Sequence, residues 1–303
     1  MNARGIALTG ASGFVGRHFS QLLAARVVPC ETLSRADLAS PALVQQLRSA
    51  SVVVHLAARA HVLRDAATNP AAEFRAANVD LTVRLAEACV AAGVERLVYV
   101  SSAGVLGRHS PPGGFTDESE PQPHDEYTVS KLAAERRLAK FSNSVQLVVL
   151  RPPLVYGPGA PGNFARMARA VRMEIPLPLG RLNAERSMVS VRNLCDALLV
   201  AVDSRDAPGA PMLVCDSERS TVPELLELMA VALGRHARLL NVSPRVLRGA
   251  LALIGRAADF ERLAEPFILR PTRAPTRLGW VPARRLQGEI AWTMQSRSEI
   301  KYG

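Results

Sequence analysis

Along the first half of the chain two textures of apolar and polar positions alternate. Short apolar runs at residues 6–9, 29–33, 51–56, 96–101 and 145–150 predict strands. The run SVVVHL at 51–56 is β-branched and unbroken, as expected of a strand covered on both faces. Between the runs, apolar residues recur at helical spacing over 19–25, 73–92 and 126–141, and Gly93 supplies a stop for the second of these. Strand and helix repeated in this order predict an α/β fold, a parallel sheet with helices on both faces. After Arg151 the texture changes. Pro152, Pro153, Pro158, Pro161, Pro176 and Pro178, interleaved with Gly157, Gly159, Gly162 and Gly180, break the chain into loops and short elements of the kind that carry specificity. Helical spacing returns over 193–202, 223–233 and 244–256.

Composition narrows the partners. Of the 303 residues 48% are apolar, enough for a sizeable core, yet no run of about 18 apolar residues lacks charges, so no membrane span is expected. The start MNAR enters the short apolar run at 6–8 directly, too short for a signal peptide, and a cytoplasmic protein is expected. Cys30, Cys89, Cys195 and Cys215 are scattered and lack metal-ligand spacing, so no metal is expected and the thiols read as buried and reduced. A net charge of +10 would suit nucleic acid, anionic lipid or an anionic small molecule. With no basic run of five and only 5% aromatics, nucleic acid is poorly supported, and a pyrophosphate-bearing ligand fits better.

The sequence TGASGFVG at 9–16 lies between the first strand and the first helix. Gly10, Gly13 and Gly16 allow a tight turn, close approach to a pyrophosphate and close helix–strand packing, while the helix N-terminus offers free N–H groups. This predicts a doubly wound dinucleotide-binding sheet of the Rossmann type. The expected division is a dinucleotide-binding domain of residues 1–152 plus about 188–210, with a smaller C-terminal substrate-binding domain of 153–187 and 211–303. At the end of the second strand an acid favours NAD and a base favours NADP. The chain has Ser34-Arg35 there, with Asp37 beyond, and a guanidinium able to grip a 2′-phosphate favours NADP.

Tyr127-Thr128-Val129-Ser130-Lys131 sets a phenol and an ammonium four apart, on one helix face. A nearby ammonium is expected to lower the phenol's pKa toward the working range. Ser101-Ser102 follows the strand at 96–101, where the carboxyl ends of parallel strands gather around a ligand crevice. A hydroxyl there can donate to a substrate oxygen while Tyr127 exchanges its proton. Asn78 is either a member of this network or a surface amide. His55, inside an apolar strand, reads as a satisfied core histidine.

These segments together resemble the extended short-chain dehydrogenases/reductases of the nucleotide-sugar epimerase/dehydratase group. HLAA at 55–58, NVDLT at 78–82, VSSAGVLG at 100–107, YTVSK at 127–131 and RPPLVYGPG at 151–159 join TGASGFVG in family order. The resemblance implies Ser102, Tyr127 and Lys131 as catalytic residues. It implies a cofactor seat formed by Gly10, Ser12, Gly13, Phe14, Val15, Gly16, Ser34, Arg35, Asp37, Leu38, Leu56, Ala57, Ala58, Asn78 and Pro153, with Tyr127 and Lys131 meeting the nicotinamide ribose. Substrate contacts implied are Ser102, Ala103, Tyr127, Asn163, Phe164, Pro178, Leu179 and Arg186, with Arg262 (or Arg256) as a second diphosphate arginine. Two chemistries stay open. One is NADPH-dependent reduction of a UDP-4-keto-(6-deoxy)-HexNAc-type sugar for O-antigen-type precursors; the other is an NAD-dependent UDP-hexose or UDP-HexNAc 4-epimerase. Ser34-Arg35 departs from the acidic residue usual in NAD-retaining epimerases and favours the first. The Asp-Glu pair of 4,6-dehydratases is replaced by Ala103-Gly104. A non-catalytic dinucleotide sensor would not need Ser, Tyr and Lys together. The resemblance implies a homodimer. The arginine-flanked apolar helix at 244–256 reads either as packed on the core or as lying against a bilayer.

Overall fold

The computed structural model describes residues 5–59, 69–253, 255 and 257–296. The chain runs β1 (Gly5–Thr9), α1 (Phe14–Ala25), β2 (Cys30–Leu33), α2 (Arg35–Ala39), α3 (Leu43–Leu47) and β3 (Ala50–His55). After the crossover come α4 (Pro70–Arg75), a π-helical turn at Ala76–Asp80, α5 (Leu81–Ala92), β4 (Arg96–Val100), β5 (Phe115–Thr116), α6 (Glu126–Leu138) and β6 (Gln146–Arg151). The remainder comprises β7 (Leu154–Tyr156), α7 (Asn163–Arg172), β8 (Arg186–Ser190), α8 (Val191–Asp203), β9 (Met212–Leu213), β10 (Arg219–Ser220), α9 (Val222–Val231), α10 (Pro244–Leu253), α11 (Ala257–Ala264), β11 (Leu269–Arg270) and α12 (Leu286–Gln295).

Six strands form one sheet in the order β2-β1-β3-β4-β6-β9, every neighbouring pair parallel. The unbroken apolar runs follow from burial on both faces. Ile6, Leu8, Val54, Val98 and Val148 point to one face and pack on α1 (Phe19, Leu23) and α8 (Leu194, Leu198). Their alternates Ala7, Val53, Leu97, Tyr99 and Val149 point to the other and pack on α5 (Leu85, Cys89) and α6 (Ala134, Leu138).

Several elements differ from the expectation. Helix α1 begins at Phe14 rather than near residue 19, because Gly13 starts the turn and the glycines dilute the apolar rhythm. The helix expected over 73–92 begins at Pro70 and is split by the π-helical turn, then ends on Gly93 in the left-handed conformation, φ 72°. Met212–Leu213, within the span expected to belong to the second domain, forms the outer strand of the parallel sheet. That second region has its own three-stranded sheet, β10-β8-β7, and a core built on Tyr156, Phe164, Leu226, Met229 and Ile290. Among the described residues no helix is long and apolar enough to cross a membrane.

Candidate active site

The glycine turn is built by steric necessity. Gly10 has φ +73°, and a Cβ there would sit 2.6 Å from the Ala57 amide nitrogen; on Gly16 it would sit 2.0 Å from the Gly10 carbonyl oxygen. The turn therefore lies directly on the segment that leaves β3. At the start of α1, Gly13 provides no side-chain cap and the first turn holds no acid, which leaves its N–H groups and positive dipole end to an anion. Phe14 and Val15 are half-buried against the core, and Ser12 is exposed. These features fit a dinucleotide pyrophosphate.

At the end of β2, Ser34 and Arg35 are exposed. Ser34 caps α2: its backbone N–H and its hydroxyl both donate to Asp37, at 2.7 and 2.6 Å. Gln46 donates to the same carboxylate. These bonds, the Ser34 hydroxyl first, hold the Asp37 carboxyl below the usual range. The acid beside the expected adenosine ribose is thus engaged in a helix cap, and the exposed group is the arginine. Leu38, expected near the adenine, turns its side chain into the core.

The segment after β3 is fixed from below. Thr9 Oγ1 lies 2.6 Å from His55 Nδ1 and accepts from the Ala57 N–H at 3.3 Å. His55 Nε2 lies 2.9 Å from Thr82 Oγ1. With both ring nitrogens bonded and the ring buried, desolvation pulls the His55 pKa down to about 3, the satisfied core histidine that was expected. Leu56 and Ala57 are half-buried and Ala58 is exposed.

Asn78 is buried and resolves the alternative left open for it. Its Oδ1 accepts from the Arg59 N–H at 2.7 Å, and its Nδ2 donates to the Arg59 carbonyl at 3.1 Å and to Ser130 Oγ at 2.9 Å. Ser130 Oγ donates to the Tyr127 carbonyl at 2.7 Å. The π-helical turn at Ala76–Asp80 carries Asn78, so an irregular turn joins the segment lining the glycine turn to the start of α6.

Helix α6 is started by a capping box between Asp125 and Thr128. Tyr127 lies one residue into it, edge-on to Phe74 with ring centroids 6.4 Å apart. Burial, with a smaller push from Asp125, drives the Tyr127 phenol up to about 12, against a hydrogen bond with Ser102 that draws it down. The expected lowering by Lys131 is not found; burial of the phenol dominates, and the opposing pull comes from Ser102. Lys131 is itself buried; desolvation pulls it to about 7, against the attraction of Glu135. Its Nζ sits 4.3 Å from the Tyr99 ring centroid. Ser102 is half-buried, and its Oγ accepts from the Gly104 N–H at 3.1 Å. Ser101 and Ala103 are buried, Ala103 donating its N–H to the Pro152 carbonyl at 2.8 Å, with Pro153 buried beside it. Tyr99 and Ser130 were not singled out from the sequence. Ser130 carried a signal, since a serine three residues after the tyrosine can bond back to its carbonyl.

On the second region the expected substrate residues divide. Asn163 begins α7 and accepts from Arg166, whereas Phe164 is buried and stacked on Tyr156, a core side chain. Pro178 and Leu179 are half-buried in a segment joined to Leu239 by a single bridge at Leu177, not in a regular strand. Arg186 begins β8, donates to the Glu265 carbonyl at 2.7 Å and lies over the Phe267 ring. Arg262 falls within α11 with its side chain outside the described residues, as is Arg256 altogether.

Comparison with known proteins identifies the family and the fold. The family model for the NAD dependent epimerase/dehydratase family matches residues 6–214. A UDP-glucose 4-epimerase of Vibrio cholerae is 32% identical, covering 97% of this chain and 95% of that protein. A GDP-6-deoxy-D-mannose reductase of Pseudomonas aeruginosa is 31% identical over 74% of this chain and 78% of its own length. Among solved structures, MoeE5 in complex with UDP-glucose and NAD is 28% identical and superposes with a TM-score of 0.76 over 96% of this chain and 97% of its own.

Proposed function

The chain belongs to the NAD dependent epimerase/dehydratase family, and on that premise we propose that it reduces the C4 ketone of a UDP-linked 6-deoxy-HexNAc sugar, with NADPH as reductant. The observation that carries this reading is the state of the cofactor end and the phenol taken together. Asp37 is engaged as a helix cap while Arg35 stands exposed at the end of β2, which favours a 2′-phosphate. Burial keeps the Tyr127 phenol protonated at neutral pH, and a protonated phenol is what ketone reduction consumes.

Gly10, Gly13 and Gly16 with the start of α1 would hold the pyrophosphate, Arg35 the 2′-phosphate, and Lys131 the nicotinamide ribose. When bound, the nicotinamide supplies a hydride. Ser102 donates to the C4 oxygen and Tyr127 delivers the proton that completes the alcohol. Lys131, beside the phenol on α6, favours the phenolate left behind. Asn163, Pro178, Leu179 and Arg186 would hold the nucleotide diphosphate, with residues 1–152 and about 188–210 forming the cofactor half. The same reading makes the protein a cytoplasmic homodimer feeding cell-surface polysaccharide precursors.

The full-length similarity to the Vibrio cholerae enzyme favours a second reading, a UDP-hexose 4-epimerase, in which Tyr127 takes the proton from a 4-hydroxyl. Arg35→Glu tests the first reading. The kcat/KM ratio for NADPH over NADH should fall on the order of tenfold or more, one good charged contact. An unchanged ratio, or protein that purifies with tightly held NAD, would favour the epimerase.

A further inference from the structure

Lys131 raises a problem that its role at the cofactor does not answer. An ammonium taken out of water needs a partner. Lys131 is 2% exposed, and the charged and titratable groups facing it offer little. Glu135, one turn along α6, is gripped by Arg151 from β6, with Nε and Nη2 donating to its two oxygens at 3.0 and 2.5 Å. His55 on β3 is neutral, with both nitrogens bonded to threonines. Tyr127 on α6 is a neutral phenol. What lies against the ammonium is the face of Tyr99 on β4: Nζ is 4.3 Å from the ring centroid, and the ring is 1% exposed. The Tyr99 ring is in turn stacked on His55, with centroids 5.7 Å apart and planes 25° from parallel, which braces it from the side of β3.

We propose that Tyr99 is a positioning residue: its ring face holds the Lys131 ammonium in place between turnovers. The inference rests on the reading that Lys131 serves the cofactor ribose and the phenol. A carboxylate in the same place would hold the ammonium more strongly, and would compete with ribose hydroxyls for its N–H groups. An aromatic face attracts the charge without accepting its hydrogen bonds in a fixed geometry, so the lysine keeps its donors for a ligand. The Tyr99 hydroxyl takes no part in this, so the ring alone is required.

A fluorination series at position 99 separates this role from packing, because fluorine drains the ring's negative face while changing its size little. Tyr99→Phe serves as reference, followed by 4-fluoro-, 3,5-difluoro- and 3,4,5-trifluorophenylalanine. The full-length protein is labelled with 13Cε-lysine, and Lys131 is assigned by its loss in Lys131→Met. Its titration is followed directly, alongside thermal unfolding and the Kd for NADPH. The expected result is a Lys131 pKa unchanged from Tyr to Phe and falling stepwise by about one in all across the series, with the NADPH Kd rising in step and Tm nearly constant. A titration that ignores fluorination would overturn the proposal, whatever the activity. If instead the titration moves but Lys131→Met retains full activity, the ring does hold the lysine and the catalytic reading of Lys131 is the part that fails.

Discussion

Two residues in the site carry opposed electrostatic demands. Tyr127 is pushed by burial to about 12, which suits the acid role proposed for it, and its hydrogen bond with Ser102 pulls the other way. Removing the hydroxyl while keeping the ring should therefore cost the chemistry and spare the seat. For Tyr127→Phe, kcat is expected to fall by roughly 10²–10⁴-fold, the usual worth of a positioned acid, with the NADPH Kd within a few-fold of the parent. Steady-state kinetics beside a fluorescence titration checks both halves. Lys131 makes the opposite kind of prediction. Its pKa drops from 10.5 in the free side chain to about 7 in the fold, so the folded protein binds the proton less well than the unfolded chain. The stability tied to this group is present above about 10.5 and is lost as pH falls through 7. Lys131→Met lacks that loss. It should be more stable than the parent at pH 6, with the advantage shrinking toward pH 10, as read by urea unfolding at several pH values.

At the level of elements, the strands were largely legible because the sheet is covered on both sides. Two covering layers force runs such as VVV at 52–54 and LVYV at 97–100, and these stand out against the helical spacing around them. The glycine turn was legible because contacts of 2.0 and 2.6 Å exclude a side chain at Gly16 and Gly10. Other features leave no periodic trace. Strands of two residues, Phe115–Thr116 and Met212–Leu213, are too short to show alternation. The π-helical turn at Ala76–Asp80 adds a residue to one helical turn, which shifts the apolar stripe rather than breaking it, so residues 73–92 read as one helix. That shift is what buries Asn78, and its amide then closes both hydrogen bonds of the Arg59 backbone. Asn78→Leu strands the Arg59 N–H, the Arg59 carbonyl and a bond to Ser130 together. It should destabilise the fold by roughly 2–4 kcal/mol. A chemical denaturation curve would show this, and a loss under about 0.5 kcal/mol would mean water takes over those bonds.

Across the whole molecule, buried polar clasps join segments that lie far apart in the chain. Asp216 accepts from the Tyr156 hydroxyl at 2.8 Å, the Ser190 N–H at 3.0 Å and Asn193 at 2.7 Å, and Asn193 also brackets the Arg284 backbone. Asp117 accepts from the Leu213, Thr272 and Arg273 N–H groups, at 2.6, 2.6 and 2.9 Å, tying the outer strand of the sheet to the chain beyond β11. Each aspartate lies at least 23 residues from every one of these partners, so no local pattern announced them. The proposed function requires this site to send a hydride from NADPH to C4 of a UDP-sugar ketone. The most direct test is to supply NADPH deuterated at the transferable C4 position of its nicotinamide with a UDP-4-keto-6-deoxy-HexNAc, and to read the product by NMR and mass spectrometry. One deuterium at C4 of the sugar is expected for each NADPH oxidised. Interconversion of a UDP-hexose with its C4 epimer, with no NADPH consumed and no deuterium gained, would contradict it.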